Sequence, residues 1–398
     1  MTTPRIAVVG NGVCAITAIT EMRKRGGNAR IDVFSDEGYG YYPRPRLIDY
    51  IAGRVTEKSA VQYGPDWYES QGVTLMLNSR VSRVNPSLGS IETDSGGSFA
   101  GYDHVLLACG SKPFVPPIKG ADSPGVYTLR TLADAVRLRA TLESSERPLI
   151  VGGGILGVEL AAAMKEIGKD PLVVTNISQL LPAQLDASAS EILAARLKRM
   201  GIGLIMDYAC VELVRTSDSI VLRSSAGQEV PGDLVVIATG VRPDTDLARS
   251  AGIDVGRGIR VNAYMQTSSP RVFAAGDCIE WKGVALGIIP VALDTAKVAV
   301  RNMLEMGSVS YTGTVPSNTL QVTGIDLTSI GVFNGQPPDY DVIAVSDPER
   351  ETYFKAVVKG GTVVGGIAFG DRKVALRLRQ LVNSQARVKS IGPDIFWS

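Results

Sequence analysis

Two short glycine-rich hexapeptides are the parts of this chain whose residue types and spacing most clearly suggest chemistry. The first, at residues 10–15, reads G-x-G-x-x-A, and the second, at residues 152–157, reads G-x-G-x-x-G. In such a loop the first glycine permits a tight turn, the second lets a pyrophosphate approach the backbone, and the third small residue allows the helix to pack closely on the strand. The residues in these positions are Gly10, Gly12 and Ala15 in the first loop and Gly152, Gly154 and Gly157 in the second. Two loops imply two bound dinucleotides.

Each hexapeptide stands between a short apolar strand and a helix, as a β-α-β unit requires. The sequence predicts strands at residues 6–9 and 30–34 around the first loop. It predicts strands at residues 148–151 and 171–174 around the second, with a helix at residues 158–167. One isolated match is often only a strand–turn–helix connection, but two matches in this context are much stronger evidence. The helix N-terminus after each loop would offer N–H groups to a pyrophosphate.

Polar residues follow the second strand of each unit, where the adenosine ribose of a dinucleotide binds. In the first unit Asp36 or Glu37 can accept hydrogen bonds from ribose hydroxyls. In the second unit Thr175 and Asn176 present neither a carboxylate that would repel a 2′-phosphate nor an arginine that would capture one. No arginine lies among residues 171–185, so the sequence predicts a modest preference for NADH, with NADPH also accepted.

Two further segments resemble each other and return the chain between the nucleotide units. Residues 105–113 and 234–243 each read as a strand that enters a glycine turn. Cys109 and Gly110 form that turn in the first segment, and Gly240 forms it in the second.

A third strand, at residues 271–274, leads into Gly276 and Asp277. This aspartate could accept hydrogen bonds from the ribityl hydroxyls of a flavin, although a Gly-Asp pair taken alone is more often just a turn. Pro290 and Val291 then open a helix, with proline at a favourable first-turn position. The positive end of that helix could stabilise a reduced flavin, which is anionic.

Composition narrows the class of protein. A chain of 398 residues is expected to form two or three domains. With 41 basic and 40 acidic residues, it offers no electrostatic reason to bind nucleic acid or a membrane surface. We find no secretory signal and no apolar run long enough for a membrane helix, and we expect a cytoplasmic protein. No two of the four cysteines have the spacing of a redox dithiol, and the single histidine, His104, argues against a metal site or a histidine-based triad.

In this order, the motifs resemble those of the pyridine nucleotide-disulfide reductases, flavoproteins with two dinucleotide domains. The resemblance covers nearly the whole chain, from the first glycine loop to the Ala-Gly-Asp at residues 275–277. It implies that FAD is held by Gly10, Gly12, Asp36 and Asp277, and that NAD(P)H is held by Gly152, Gly154 and Gly157.

The segment Tyr41–Gly53 narrows the resemblance to NADH:rubredoxin reductases, the flavin parts of NADH-dependent nitrite reductases and the apoptosis-inducing-factor group. In disulfide reductases this region carries the redox cysteine beside the flavin, and here it contains none. Disulfide reductases also place a histidine near the C-terminus, whereas this chain has none after His104. Residues 364–371 and the helix that follows also resemble the rubredoxin-reductase type.

The resemblance also suggests roles for single residues. Glu159 corresponds to a carboxylate near the nicotinamide carboxamide, although a glutamate early in a helix can simply favour the helix dipole. Arg44 and Arg46 are expected near the flavin or its phosphates, the alternative being a solvated arginine pair. The remaining residues that we expect at the cofactors are Glu37, Cys109, Gly110, Gly276, Pro290 and Val291 for FAD, and Ile155, Leu156, Thr175, Asn176 and Gly240 for NAD(P)H.

Three positions depart from the family pattern. Asp49 stands where some relatives have a lysine beside flavin N5, so it is a candidate for tuning the flavin. Ile155 stands where an aromatic residue often gates the nicotinamide, and Thr175 stands where an acidic residue is expected. These departures bear on flavin tuning, on gating and on coenzyme choice.

The predicted fold is α/β, with two Rossmann-like domains and a smaller C-terminal α+β domain. The FAD domain is expected at residues 1–115 and 242–315, the NAD(P)H domain at 116–241, and the C-terminal domain at 316–398. Alternating residues near 352–358 predict an antiparallel sheet in that last domain, followed by a helix at 373–381.

The leading functional hypothesis is an FAD-dependent NAD(P)H oxidoreductase that acts as a monomer or homodimer. It would pass electrons to a carrier protein, such as rubredoxin or ferredoxin, or to a partner subunit. One alternative is an NAD(P)H oxidase that uses oxygen or a small acceptor. Another is a flavin-bound, redox-sensing interaction protein with negligible turnover.

Overall fold

The computed structural model of the protein describes residues 3–25, 28–217, 219–347, 349–385, 387–388 and 392–397. The chain divides into two compact units, each assembled from separate stretches of sequence. Unit 1 consists of Met1–Leu47, Val55–Lys112 and Val241–Thr314, and unit 2 consists of Ile48–Arg54, Pro113–Gly240 and Val315–Ser398.

The first nucleotide-loop region, which ends near residue 113, begins with a strand, a glycine turn and a helix. Gly12 is the N-cap of that helix, as the motif predicts. The strands are β1 (Arg5–Val9), β2 (Arg30–Phe34), β3 (Val73–Met76), β4 (Val81–Asn85), β5 (Ser90–Thr93), β6 (Ser98–Phe99), β7 (His104–Leu107) and β8 (Ser111–Pro113). The helices are α1 (Val13–Lys24), α2 (Arg46–Ile51), α3 (Glu57–Ala60) and α4 (Pro65–Ser70).

In the second nucleotide-loop region, one strand and one helix precede the same succession of strand, glycine turn and helix. Its strands are β9 (Val126–Tyr127), β10 (Pro148–Val151), β11 (Leu172–Val174), β12 (Gly203–Ile205), β13 (Cys210–Arg215), β14 (Ile220–Ser224), β15 (Glu229–Gly232) and β16 (Leu234–Ile237). Its helices are α5 (Leu132–Leu142), α6 (Ile155–Glu166) and α7 (Ala187–Arg199).

The start of α6 corrects one prediction. The helix begins at Ile155, three residues before the predicted start at Val158, because Gly154 is its N-cap with φ −80° and ψ −178°. Glu159 therefore lies beyond the first turn of the helix. This position weakens the alternative in which its carboxylate mainly favours the helix dipole, since that effect fades within one turn.

The chain then returns to unit 1 before it forms the C-terminal region. The returning elements are β17 (Val241–Pro243), α8 (Asp246–Ser250), β18 (Ile259–Arg260), β19 (Val272–Ala274), β20 (Ile279–Glu280) and α9 (Ile289–Leu304). The C-terminal elements are β21 (Ser317–Thr319), β22 (Leu327–Gly331), β23 (Asp341–Asp347), β24 (Thr352–Lys359), β25 (Thr362–Phe369) and α10 (Arg372–Ser384).

Four parallel strands of the main sheet have the same order in the two nucleotide regions, β7-β1-β2-β3 in unit 1 and β16-β10-β11-β12 in unit 2. The fifth strand differs, since β19 beside β7 comes later in the sequence, whereas β9 beside β16 precedes the other strands of its sheet. In each region a three-stranded antiparallel sheet, β4-β5-β6 or β13-β14-β15, precedes the returning strand. The apolar strands are buried on both faces, as parallel sheets covered by helices require. Each glycine loop thus lies at the carboxyl edge of its sheet.

The C-terminal region is a five-stranded sheet in the order β21-β22-β25-β24-β23, with α10 packed against it. Asp371 caps α10, since its carboxylate accepts hydrogen bonds from the N–H groups of Lys373 at 2.6 Å and Val374 at 3.3 Å. The predicted strand near residues 352–358 and the helix after it are both present. The predicted fold class, two Rossmann-like domains and a smaller α+β domain, is confirmed.

Candidate functional site

The Gly10 loop in unit 1 has a backbone that only glycine fits. Gly10 has a φ of +108°, and a Cβ there would lie 2.3 Å from the carbonyl oxygen of Ala108. Its N–H donates to the carbonyl oxygen of Phe34 at 2.9 Å, which fixes the turn. A Cβ at Gly12 would meet nothing within 4 Å, so open space lies beside the N-terminus of α1. This combination of exposed N–H groups and space fits a pyrophosphate.

A cavity of about 470 Å³ adjoins this loop. Its walls come from the ends of neighbouring strands and from the stretch that returns after residue 241. Its lining includes Gly10, Asp36, Ser79, Cys109, Lys112 and Asp244. Ser79 and Asp244 were not predicted, because they follow strands without any motif that marks them.

The Glu37 carboxylate is engaged by two neighbouring side chains. Its carboxylate accepts a hydrogen bond from Tyr42 and pairs with Arg44 at 2.9 Å. The Arg44 guanidinium also lies 4.9 Å from the ring centre of Tyr42. Of the two carboxylates proposed for the ribose, only Asp36 lines the cavity, because Glu37 is already engaged with Arg44.

Arg46, the first residue of α2, contacts the backbone of the next helix, α3. Its Nη1 donates to the carbonyl oxygens of Ser59 at 2.6 Å and Ala60 at 3.3 Å. These carbonyls end α3, where an arginine satisfies acceptors that have no partner within the helix. The predicted contact of Arg46 with a flavin stays a prediction.

Gly276 and Asp277 lie between the starts of two helices of unit 1. A Cβ at Gly276 would lie 3.3 Å from the Cβ of Cys14 on α1 and 3.7 Å from that of Ala292 on α9. The N–H of Gly276 donates to the hydroxyl of Thr295 at 3.0 Å. The Asp277 carboxylate accepts a hydrogen bond from Ser111 at 3.0 Å. Unit 1 therefore brings the Gly-Asp pair together with α1 and α9, as an FAD site needs.

Pro290 and Val291 fall in the first turn of α9, as predicted. Val291 is buried, so its contribution to a cofactor would come from the backbone rather than from an exposed side chain. Gly110 has a φ of +72°, and its carbonyl oxygen accepts from the N–H of Asp244 at 3.0 Å. That bond ties the turn after β7 to the stretch after β17.

All four cysteines are free thiols. Burial raises the pKa of Cys14 and Cys109 well above their ordinary value and raises the pKa of Cys278 to about 12. Burial also raises the pKa of Cys210. Because the thiolate is the reactive form, these thiols are poor nucleophiles near neutral pH. Cys109 is only half-buried and lines the cavity.

The Gly152 loop in unit 2 repeats the backbone of the first loop. Gly152 has a φ of +129°, and a Cβ there would lie 2.3 Å from the carbonyl oxygen of Ala238. A Cβ at Gly154 would meet nothing within 4 Å. A Cβ at Gly157 would lie 2.0 Å from the carbonyl oxygen of Gly152, so this loop tolerates no alanine at the position of Ala15. Such a tight loop with an open second glycine fits a second pyrophosphate.

The residues predicted to contact the coenzyme beside this loop are divided between surface and interior. Thr175 is 5% exposed and lies against Gly153, whereas Asn176 is exposed. Ile155 and Leu156 are half-buried in the first turn of α6. Gly240 follows β16 with a φ of +107°. Asn176 is thus the freer of the two predicted ribose residues.

Glu159 is a buried carboxyl in unit 2, only 7% exposed. Its Oε1 accepts a hydrogen bond from the backbone N–H of Gln321 at 2.7 Å. Burial raises the pKa of Glu159 to about 7, and the charge of Asp49 adds to that effect. The carboxyl can therefore lose or gain a proton near neutral pH, which is unusual for glutamate.

Asp49 is tied to an arginine that the sequence analysis did not single out. Arg54 donates to Asp49 at 2.8 Å and to Glu166, at the end of α6, at 2.6 Å. The Thr323 hydroxyl also donates to Glu166, at 2.9 Å. Arg54 and Gln321 belong to stretches far from the loop in sequence, so no local pattern could reveal them.

The described residues include no group of three or more histidine, cysteine, aspartate or glutamate side chains arranged to hold a metal ion. Among those residues, no helix has the length and apolar character that crossing a bilayer demands.

Comparisons with known proteins agree with this geometry. Residues 4–302 match the model of the pyridine nucleotide-disulphide oxidoreductase family, and residues 316–386 match the rubredoxin NAD+ reductase C-terminal domain. The chain belongs to the pyridine nucleotide-disulphide oxidoreductase family. The predicted family and enzyme class are therefore confirmed, and membership of this family implies FAD and NAD(P)H as cofactors.

Three similar members of the family illustrate its range. A nitrite reductase [NAD(P)H] of Bacillus subtilis (strain 168) is 33% identical over 385 residues, which cover 96% of this chain and 48% of that protein. The ferredoxin–NAD(+) reductase component of the biphenyl dioxygenase system of Paraburkholderia xenovorans (strain LB400) is 34% identical over 277 residues, which cover 69% of this chain and 67% of that protein. The solved NADH:rubredoxin oxidoreductase of Clostridium acetobutylicum is 25% identical with a TM-score of 0.80, covering 99% of both chains. The chain spans about half the length of its nitrite reductase relatives.

Proposed function

We propose that this chain takes a hydride from NADH and, through FAD, passes the electrons to a carrier protein or a partner subunit. The observation that carries the proposal is that two complete dinucleotide loops occur in one chain whose flavin-side segment, Tyr41–Gly53, has no cysteine. The thiols present elsewhere have pKa values raised by burial, so the disulfide chemistry typical of the family has no suitable residue. The electrons must then leave by another route.

In unit 1 the proposed FAD residues would bind the cofactor and orient it. Bound FAD would supply the hydride acceptor and later release the electrons. The N-terminus of α1 offers N–H groups to the pyrophosphate beside Gly12, and Asp36 accepts from the ribose. Asp277, held by Ser111, accepts from ribityl hydroxyls. The N-terminus of α9 favours negative charge on the reduced ring by about 0.5–2 kcal/mol.

In unit 2 the proposed NADH residues hold the coenzyme on a rigid loop. Gly152 and Gly154 place the N–H groups of α6 at the pyrophosphate. Glu159 holds the nicotinamide carboxamide. In its neutral form it can donate a hydrogen bond to the carboxamide oxygen, and in its ionised form it can accept one from the carboxamide nitrogen. Arg54 pairs with Asp49 and compensates its negative charge.

The proposal also covers the coenzyme preference and the type of electron acceptor. NADH is preferred over NADPH, because no cation follows β11 to capture a 2′-phosphate. The relatives named above include a reductase of a ferredoxin and one of a rubredoxin, which supports a small iron–sulfur or rubredoxin-type acceptor. Residence in the cytoplasm and a monomeric or homodimeric state stay predictions.

The acceptor is tested by following reoxidation of the reduced protein. Protein reduced anaerobically with one equivalent of NADH is mixed with oxidised rubredoxin, with a [2Fe–2S] ferredoxin, or with air-saturated buffer. The proposal expects rapid reduction of a carrier, two one-electron equivalents per NADH, and slow reoxidation in air. Rapid reoxidation in air with no carrier reduced would instead make the protein an oxidase. Reduction with dithionite serves as a control, because it bypasses the hydride step.

A further inference from the structure

The two nucleotide regions match residue by residue beyond their glycine loops. After β2, the N–H of Ser35 donates to Met76 O at 2.9 Å and the N–H of Ser79 donates to Ser35 O at 2.7 Å. The N–H of Asn78 donates to Glu37 O at 3.1 Å. These three bonds align the chain that leaves β2 with the chain that leaves β3.

Unit 2 has the same three bonds at equivalent residues. The N–H of Thr175 donates to Ile205 O at 2.9 Å, and the N–H of Tyr208 donates to Thr175 O at 2.8 Å. The N–H of Asp207 donates to Ile177 O at 3.4 Å. Asp207 is therefore the equivalent of Asn78, and Asn176 is the equivalent of Asp36.

The carboxylate and the amide are exchanged between these two positions. Unit 1 has Asp36 after β2 and Asn78 after β3, whereas unit 2 has Asn176 after β11 and Asp207 after β12. Asn78 and Asp207 share a left-handed backbone, with φ of +50° and +55°. Asparagine and aspartate are the non-glycine residues that adopt this conformation most readily. The two units thus share this backbone, but the carboxylate follows the second strand, β2, in unit 1 and the third strand, β12, in unit 2.

In unit 1 the chain that leaves the third strand borders the nucleotide cavity one residue after Asn78. Ser79, directly after Asn78, lines the same cavity as Gly10 and Asp36. By the matching backbone bonds, Asp207 of unit 2 adjoins the loop that contains Asn176. Asp207 is exposed, and no lysine or arginine among the described residues pairs with its carboxylate.

We infer that Asp207 is the residue that discriminates against NADPH, replacing the missing acidic residue after β11. The inference rests on the proposed function, in which the Gly152 loop binds the nicotinamide dinucleotide. A 2′-hydroxyl can donate a hydrogen bond to a carboxylate or tolerate it through water. A 2′-phosphate carries about −1.5 to −2 charges at pH 7 and is repelled by it. The carboxylate that favours NADH over NADPH thus lies after β12 instead of after β11.

Direct binding to the FAD-containing protein tests this inference without turnover. Because FAD fills its own site, 5′-AMP and 2′,5′-ADP report on the second nucleotide site, and calorimetry gives each dissociation constant. Asp207→Asn keeps the side-chain shape, and Asp207→Gly suits the left-handed backbone, so both should fold. We expect both to bind 2′,5′-ADP about tenfold more tightly, with 5′-AMP affinity changed by less than about twofold.

Asp170→Asn is the matched control, because it removes one exposed carboxylate at the opposite end of β11. It should leave both affinities unchanged. Equal 2′,5′-ADP affinity in Asp207→Asn, Asp207→Gly and Asp170→Asn would overturn the role of Asp207. Failure of the original protein to bind 5′-AMP and NADH at all would instead overturn the proposed function, so the two failures are distinguishable.

Discussion

The Gly10 loop and the Gly152 loop each follow the central strand of a parallel sheet, yet four pairs of equivalent residues in and around them differ in ways that bear on the ligand. In both loops the first glycine faces the carbonyl oxygen of an alanine, Ala108 or Ala238, at a distance that no Cβ could share. The differing pairs, unit 1 first, are Ala15 and Gly157, Thr17 and Glu159, Asp36 and Asn176, and Asn78 and Asp207.

These differences show that the backbone of each loop fixes where a pyrophosphate can bind, whereas the side chains fix which charged groups surround the ligand. The shared turn fixes where a pyrophosphate can bind, because it fixes the direction of the helix N–H groups. Thr17 only bonds back to the carbonyl oxygen of Val13 at 2.7 Å, whereas Glu159 in unit 2 is a buried acid. A titratable group and a displaced carboxylate therefore distinguish the loop proposed for the exchanging coenzyme from the loop proposed for the resident flavin.

The largest expected effects come from adding a methyl group to the first glycine of each loop. Gly10→Ala should abolish retention of FAD, whereas Gly152→Ala should keep FAD and lower kcat/KM for NADH by about 100-fold, because strain and overpacking add. Flavin content after gel filtration and steady-state kinetics with an artificial acceptor measure these effects.

Glycines with similar backbone but open surroundings provide the controls. Gly96 in unit 1 and Gly227 in unit 2 have φ of +86° and +78°, and a Cβ at either would meet nothing within 4 Å. Alanine at these positions should retain FAD and coenzyme binding. If Gly152→Ala lost FAD but bound NADH normally, the assignment of the two loops would be reversed.

The next effect concerns the buried acid that only unit 2 has. The pKa of Glu159 is about 7 in the folded protein, against an ordinary value of 4.5. Between these values the folded protein keeps a proton that the unfolded chain has released, so the free energy of unfolding falls as the pH rises from about 4.5 to about 7. Glu159→Gln should remove this loss and gain on the order of 3 kcal/mol at pH 8, with little gain near pH 4.5.

Thermal unfolding of the FAD-containing protein across this pH range measures the effect. Glu166→Gln on the same helix is the control with opposite sign, since hydrogen bonds from Arg54 and Thr323 outweigh burial and lower the pKa of Glu166. That variant should lose stability at neutral pH. An unchanged pH dependence in Glu159→Gln would show that the buried carboxyl is already ionised at low pH.

A smaller effect is expected in the coenzyme preference of the unmodified protein. With no carboxylate directly after β11, we expect kcat/KM for NADH to exceed that for NADPH by roughly five- to thirtyfold, or about 1–2 kcal/mol. Steady-state kinetics with both coenzymes measure the ratio. A preference for NADPH would contradict both the neutral Thr175–Asn176 pair and the charge at Asp207.

The smallest effect should follow removal of every thiol. Replacing Cys14, Cys109, Cys210 and Cys278 by alanine should leave NADH-dependent reduction of an artificial acceptor within several-fold. Electron transfer from NADH to the acceptor would then need no thiol, as we propose. A collapse of turnover with FAD retained would show that a thiol takes part.

Much of the fold could be predicted from sequence, because the glycine loops and buried strands are local patterns. The strands at residues 30–34 and 148–151 were placed at the bounds that the structure has. Long-range partners could not be predicted, since Gln321 contacts Glu159 across 162 positions. The engagement of Glu37 with Arg44 was missed because a carboxylate after a strand reads equally well as a ribose ligand. Asp207 was missed because its meaning depends on the register between β11 and β12.

The central claim, that a resident flavin in unit 1 is reduced by a coenzyme on the loop of unit 2, is tested most directly by one rapid-mixing experiment. Wild-type protein and Gly152→Ala, both with full FAD content, are mixed anaerobically with NADH while the flavin absorbance is followed. The account predicts rapid bleaching of the wild-type flavin and bleaching about 100-fold slower at low NADH in the variant. Equal rates in the two proteins, or a wild-type flavin that NADH does not bleach, would contradict it.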